Sequence, residues 1–245
     1  MQATTNPSLF APLSKQFMAF LIIGLLFLFI LTLLPSLWTR HILKKYSQPH
    51  SDIPGTGLQF AEHLIKKLNL NQVRVEETDM GDHYDPIEKV VRLSHDNAHS
   101  NSLTAITVVA HEISHALQDQ NDYPPLKQRT ALIERAAIMQ KFAGMALLAT
   151  PILIPLTHSP IIGILMFTAG FIAMGVPVII HLSTLPVELD ASFNHALPLL
   201  KEGEYLNAAD QKAAKTILLA CAMTYVAASL SSLFNLWKWF KTIKR

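Results

Sequence analysis

The sequence predicts a mainly α-helical membrane protein in which three to four hydrophobic helices carry a small α+β core on the cytoplasmic side. Half of the 245 residues are hydrophobic and the mean hydropathy is +0.29, which suits a small multi-span protein better than a soluble domain. Residues 17–38, 142–187 and 216–237 contain no Lys, Arg, Asp or Glu. Between the first two runs lies a charged segment whose periodicity changes from helix to strand and back.

The run 17–38 has 22 residues, enough for one bilayer crossing of roughly 20. It is too long for a signal-peptide core and lacks a small-x-small cleavage site, so it reads as an uncleaved transmembrane anchor. Only Lys15 precedes it, whereas Arg40, Lys44 and Lys45 follow, and basic residues continue to Arg135. The positive-inside rule therefore puts the N-terminus outside and residues 39–136 in the cytoplasm. Within that segment Ala61, Leu64, Ile65 and Leu68 recur at helical spacing behind a Thr56 cap. Residues 72–76 alternate like a strand, and 88–94 form a β-branched run after the turn signal Asp85-Pro86. Asn101 or Ser102 then caps a second amphipathic helix.

Residues 137–185 read as a transmembrane hairpin turning near Thr157, His158, Ser159 and Pro160. Parity returns residues 186–215 to the cytoplasm. The run 216–237 is less apolar, with Ser229, Ser231, Ser232 and Asn235, and is expected either to cross or to lie as a re-entrant or surface helix. Crossing would place the basic tail 238–245 outside, against the charge rule.

The second amphipathic helix carries the chemistry. His111, Glu112, Ile113, Ser114 and His115 form a His-Glu-x-x-His pentad. On a helix, residues four apart share a face, so both imidazoles can meet one metal ion while Glu112 projects beside them toward a water. Zinc hydrolases need this set: nitrogen ligands, a Lewis acid and a carboxylate base. The single Cys221 excludes an intramolecular disulfide and a Cys-based zinc site, leaving His and carboxylates as ligands. With such a helix, residues 39–136 form a zincin-like core of a helix, a short antiparallel strand pair and the metal helix. Its edge strand can align a peptide by backbone hydrogen bonds. A net charge of +2, with no interleaving of basic and aromatic residues, excludes nucleic acid as the expected partner.

A catalytic zinc site needs a third protein ligand and an open water position. Glu188, in the stretch Pro186 to Ser192, is one candidate, with Pro186 placed to open a helix. Asp190 lies about 200° from Glu188 around a helix and is left a supporting role. His195, seven residues after Glu188 and on the same face, is the rival ligand. Acids in a first helical turn also serve simply to pair with the helix dipole.

The chain resembles the YugP-like family of neutral zinc metallopeptidases, bacterial multi-span membrane proteins. The segments carrying the resemblance are DHYDPIEKVVRLS at 82–94, AHEISHALQ at 110–118, LPVELDAS at 185–192 and TYVAASL at 224–230. The Ile113-Ser114 form of the pentad is similar to that of the membrane-bound heat-shock and prenyl-protein zinc proteases. Those proteins take a third ligand from a Glu-aromatic-x-Ala motif, which resembles Glu188-Leu189-Asp190-Ala191 and favours Glu188 over His195. Leu189 replaces the aromatic residue, a change that touches packing and not ligation.

The expected activity is hydrolysis of peptide bonds, with zinc held by His111, His115 and Glu188 and with Glu112 as general base. His83 and Tyr84, ahead of the proposed edge strand, are the first candidates to stabilise the oxyanion, before Tyr123, Arg129 and Tyr225. Protein or peptide substrates, membrane proteins among them, and the lipid bilayer are the expected partners. The resemblance implies the bacterial inner membrane, with the site facing the cytoplasm. An intramembrane site-2-type protease is the weaker alternative, because the polar residues from Gln118 to Asp122 oppose deep burial. A metal-stabilised scaffold that binds clients without cutting them would carry a damaged Glu112, which is intact here.

Overall fold

The computed structural model describes residues 15–157 and 159–243. His158, Lys244 and Arg245 lie outside the described residues. Four long helices dominate: α1 (Lys15–Lys45), α5 (Pro124–Thr157), α6 (Pro160–Leu189) and α8 (Ala208–Ile243). Between α1 and α5 sit α2 (Gly57–Lys67), β1 (Arg74–Glu77), β2 (His83–Asp85), β3 (Val90–Leu93), α3 (His95–His99) and α4 (Leu103–Gln120). A π-helical segment, Asp190–Ala196, continues α6 directly into the short α7 (Leu197–Glu202).

The local signals that start α2 and α4 work as expected. The Thr56 hydroxyl accepts from Gln59 N, and the Gln59 side chain accepts from Thr56 N, a reciprocal capping box. Ser102, not Asn101, caps α4, accepting from Ala105 N at 3.2 Å.

The sheet differs from the expectation of one antiparallel pair. It has three strands in the order β1-β3-β2, with β1 parallel to β3 and β2 antiparallel to it. The strand expected at an edge is thus the centre, with Val90, Val91 and Leu93 buried, and β2 forms the edge near α4. Asp85 ends β2 and accepts from the N–H groups of Ile87 and Glu88, the turn role its place before Pro86 suggests.

One hydrophobic cluster joins α2, the sheet and α4 through Leu64, Leu70, Val91, Leu93, Val109 and Ile113. A second joins α4 to the ends of the long helices through Ile42, Ile106, Ala196, Leu200, Ile217 and Leu218. Thr39 Oγ1 donates to Ala220 O at 2.6 Å, fastening α1 to α8. The four long helices pack in the order α5, α6, α8, α1, with α4 set against α8 and against the π segment.

Two stretches among the described residues are long and apolar enough to cross a membrane, Ile161–Glu202 and Ala208–Ser232. α1 leaves Ile22, Ile23, Leu26, Leu34 and Leu37 exposed, and α5 leaves Phe142, Leu148, Ile152 and Leu156 exposed. Pro186 does not open a helix. It sits inside α6, and Glu188 belongs to the last turn of that helix, so dipole pairing at a helix start is removed as an account of this acid. The 216–237 run is part of one continuous 36-residue helix.

Candidate active site

Helix α4 is buried on almost every side, which holds His111, Glu112 and His115 inside the protein, each less than 10% exposed. The end of α6 delivers Glu188, 1% exposed, between the two imidazoles. Glu188 Oε2 lies 3.0 Å from His111 Nε2 and 3.5 Å from His115 Nε2. One ligand atom from each of the three residues falls within 4.8 Å of the other two.

The hydrogen bonds behind the cluster set the tautomer of His115 and position the ring of His111. Gln118 Nε2 faces two acceptors, Val187 O at 3.0 Å and Asp190 Oδ2 at 2.7 Å, so its Oε1 must face His115. His115 Nδ1 lies 3.0 Å from that oxygen and can only donate to it, leaving the lone pair on Nε2. His111 Nδ1 lies 3.2 Å from Ser192 Oγ, a hydroxyl able to accept from it. Both rings thereby turn Nε2 toward Glu188.

These residues fit a zinc ion. Two imidazole Nε2 atoms and a buried carboxylate converge, and Glu188 Oε1 has no hydrogen-bond partner among the described residues. Arg129, on α5, brings Nη1 to 3.6 Å from that same oxygen. A buried anionic oxygen with only a distant cation is poorly satisfied without a metal.

Glu112 points into a cavity of about 210 Å³. Its walls come from both halves of the fold: Asp82, Asn97, Thr107 and His111 from the core, and Thr39, Cys221 and Tyr225 from the long helices. Burial pushes the Glu112 carboxyl up to about 7, with the Glu188 and Asp82 charges acting in the same direction and His111 opposing them. A carboxyl in that range can both take and return a proton near neutrality. Thr107, one turn before His111, has a buried hydroxyl with no partner among the described residues.

The other sequence candidates are spread around this centre. Tyr84, on β2, donates its hydroxyl to Asp119 Oδ2 at 2.6 Å, and Lys89 binds the same carboxylate. Burial and the Asp119 charge raise the Tyr84 phenol far above its ordinary value, so it stays a donor. His83 Nδ1 lies 2.8 Å from Gly81 O. Neither residue lines the cavity of Glu112, but Tyr84 lines a second cavity with His115 and Arg129. His195 Nε2 faces Asp190 Oδ2 at 3.2 Å and is not part of the three-ligand group. Tyr123 opens the turn before α5, its N–H donating to Gln118 O. Tyr225 shares the cavity with Glu112 and Glu188. Reasoning on the sequence passes over Gln118 and Ser192. The signal for Gln118 is its place three residues after His115 and seven after His111, on the ligand face of α4.

A pair of histidines on one helix, a carboxylate from a second helix and an unligated Glu beside them define a metal centre of the zinc-hydrolase type, set at the foot of a helical bundle. Residues 20–244 match the family described as "Putative neutral zinc metallopeptidase", and the chain belongs to that family, whose metal is zinc. It is also similar to the "Putative membrane protease YugP" of Bacillus subtilis (strain 168), 34% identical over 217 residues, or 86% of this chain and 92% of the relative. No solved structure matches the chain.

Proposed function

We propose that the chain is a zinc-dependent endopeptidase of the bacterial inner membrane that cleaves protein or peptide substrates at the cytoplasmic face of the bilayer. The observation that carries this reading is the convergence of Glu188 with His111 and His115, with an unligated Glu112 in the cavity that His111 and Glu188 also line. His111, His115 and Glu188 would hold the ion, and Gln118 and Ser192 orient the two rings. When bound, zinc polarises a water and the scissile carbonyl. Glu112 accepts the water's proton and returns it to the leaving amine. Arg129 and Tyr225, which approach or share the cavity of Glu188, are better placed than Tyr84 and His83 to donate to the developing oxyanion.

The cavity bears on substrate class. Leu43, Val108, Ile217 and Leu218 line it together with the polar groups, and α1 and α8 form one side. A chain emerging from the bilayer beside these helices reaches Glu112 without crossing the core, which favours segments of membrane proteins near the interface. Residues 17–38 and 216–237 act as spans in this arrangement, with 137–185 as the hairpin between them. The end of α1 and the start of α8 both belong to the core, so these helices leave it together. The C-terminal tail then lies on the same side as the N-terminus.

The test is cleavage of an unfolded reporter by the zinc-loaded full chain in detergent, run beside Glu112→Gln. Cutting by the parent alone is the expected result. Equal cutting by both removes Glu112 as the base. Silence from both with zinc bound favours the client-binding scaffold.

A further inference from the structure

We propose that Glu77, His95 and His99 form a second divalent transition-metal site, zinc by class, on the solvent face of α3 behind the wall of the catalytic cavity. His95 and His99 stand four residues apart on α3 and therefore share a face, the same spacing that pairs His111 with His115. Glu77, the last residue of β1, reaches across to both rings. His95 Nδ1 is 3.2 Å from Glu77 Oε2 and His99 Nε2 is 2.8 Å from Glu77 Oε1. The two ring centroids are 4.6 Å apart, and one ligand atom from each of the three residues lies within 4.8 Å of the other two.

A tetrahedral zinc ion with bonds of about 2.0–2.1 Å separates its ligand atoms by about 3.3 Å. The cluster is already near that spacing, and all three side chains are exposed, so rotation about side-chain bonds completes it without moving the backbone. Water fills the remaining position from solvent. As a simple ion pair the group would contribute little, because exposed pairs gain modest Coulomb energy and give up side-chain freedom. Two imidazoles and a carboxylate drawn from separate elements are a ligand set suited to zinc.

The position gives such an ion something to act on. α3 has five residues, too few to be stable alone, and depends on its neighbours. Its inner face is already fixed. Asn97, on the side opposite His95 and His99, donates to Asp82 Oδ2 at 2.8 Å, and both residues line the cavity of Glu112. Gly57 packs so closely beneath that a Cβ there would meet Asn97 O at 2.1 Å. Among the described residues, the side chains of the outer face are tied through Glu77. An ion bound there clamps α3 to β1 and stiffens the Asp82–Asn97 wall from behind.

Zinc stoichiometry of the metal-stripped full chain in detergent tests this, by competition against a chromophoric chelator at micromolar free zinc. Two equivalents are expected for the parent and one for His95→Ala/His99→Ala, whose sites are on the surface and leave the core intact. His115→Ala should retain the equivalent that the double variant loses. Hydrogen exchange at residues 95–100 should slow as the second equivalent binds in the parent and stay unchanged in the double variant. A parent that takes up one equivalent overturns the site. So does a second equivalent that survives the double substitution, which would place the ion elsewhere, for example at His50, Asp52 and Asp210. Neither readout uses peptidase activity, so the result is independent of the function proposed above.

Discussion

Replacing Gln118 by Met tests whether the zinc site depends on the group behind it. Met nearly conserves the buried volume but removes the three hydrogen bonds of the amide, to His115 Nδ1, Val187 O and Asp190 Oδ2. Gln118 is 1% exposed, so solvent does not replace them readily. The His115 N–H is left buried without a partner, at about 1–3 kcal/mol, whereas the Val187 carbonyl keeps the Asp190 N–H. Asp190 keeps Asn194 and His195 and adds little. Losing a partner of this kind weakens metal affinity by about 10–100-fold, since the His115 ring is no longer held in the ligating tautomer. The variant should therefore melt lower than the parent and bind zinc about 10–100-fold more weakly in a chelator competition with full-length protein in detergent. A variant with lowered melting temperature and parental zinc affinity would show that Gln118 only packs, and would refute the argument that it orients His115.

Four other outcomes are expected. Ser192→Ala, which removes the single 3.2 Å contact to His111 Nδ1, should weaken zinc binding by about 10-fold, the low end of the same range, in the same assay. Arg129→Met should destabilise the metal-free protein by removing the cation nearest the buried Glu188, yet tighten zinc binding, because the carboxylate keeps more of its charge for the ion; paired melts with and without zinc check both signs. Tyr84→Phe should cost about 1.5–3 kcal/mol of stability through the lost bond to the Asp119 carboxylate and leave kcat of reporter cleavage near parental, whereas a hundredfold fall in kcat would restore Tyr84 to the chemistry. Zinc at about 1,000 times its Kd should stabilise the protein by about 4 kcal/mol over the chelator-treated form, read as a concentration-dependent shift in melting temperature.

The metal helix is legible in the sequence because its information is local. A cap at Ser102, an apolar period and two histidines four apart all specify one helix and one face of it. Glu188 is legible only with the help of family resemblance, since nothing local separates it from His195. The reason lies in the π segment. Counted on an α-helix, seven residues after Glu188 is two turns further along the same face, which makes His195 its neighbour. A π turn closes over five residues, so from Asp190 onward that count no longer holds, and His195 meets Asp190. Pro186 misleads for a related reason. Its preference for a first helical turn is an average tendency, and here the apolar run of α6 carries the helix through it. The sheet is illegible for want of length. β2 has three residues, too few to show a period, and the parallel pairing of β1 with β3 depends on where the intervening chain folds.

The site joins two parts of the molecule that the sequence presents separately. His111, Glu112 and His115 come from the folded core, but Glu188 comes from the end of a 30-residue apolar helix, and the cavity in front of Glu112 is closed by α1 and α8. A zinc ion held by all three residues would therefore fasten the bundle to the core, and its binding energy would reinforce tertiary packing as well as supply chemistry. Thr39 on Ala220 and the shared cluster of Ile42, Ile106, Leu200 and Leu218 make the same connection without metal. A fragment holding residues 39–136 alone would keep the pentad and lose the third ligand, the groups that line the cavity from α1 and α8, and Ser192 behind His111. Its two histidines could still bind zinc weakly, but nothing would fix the coordination or enclose the attacking water. The bundle is thus part of the candidate site, which neither half of the fold can complete alone.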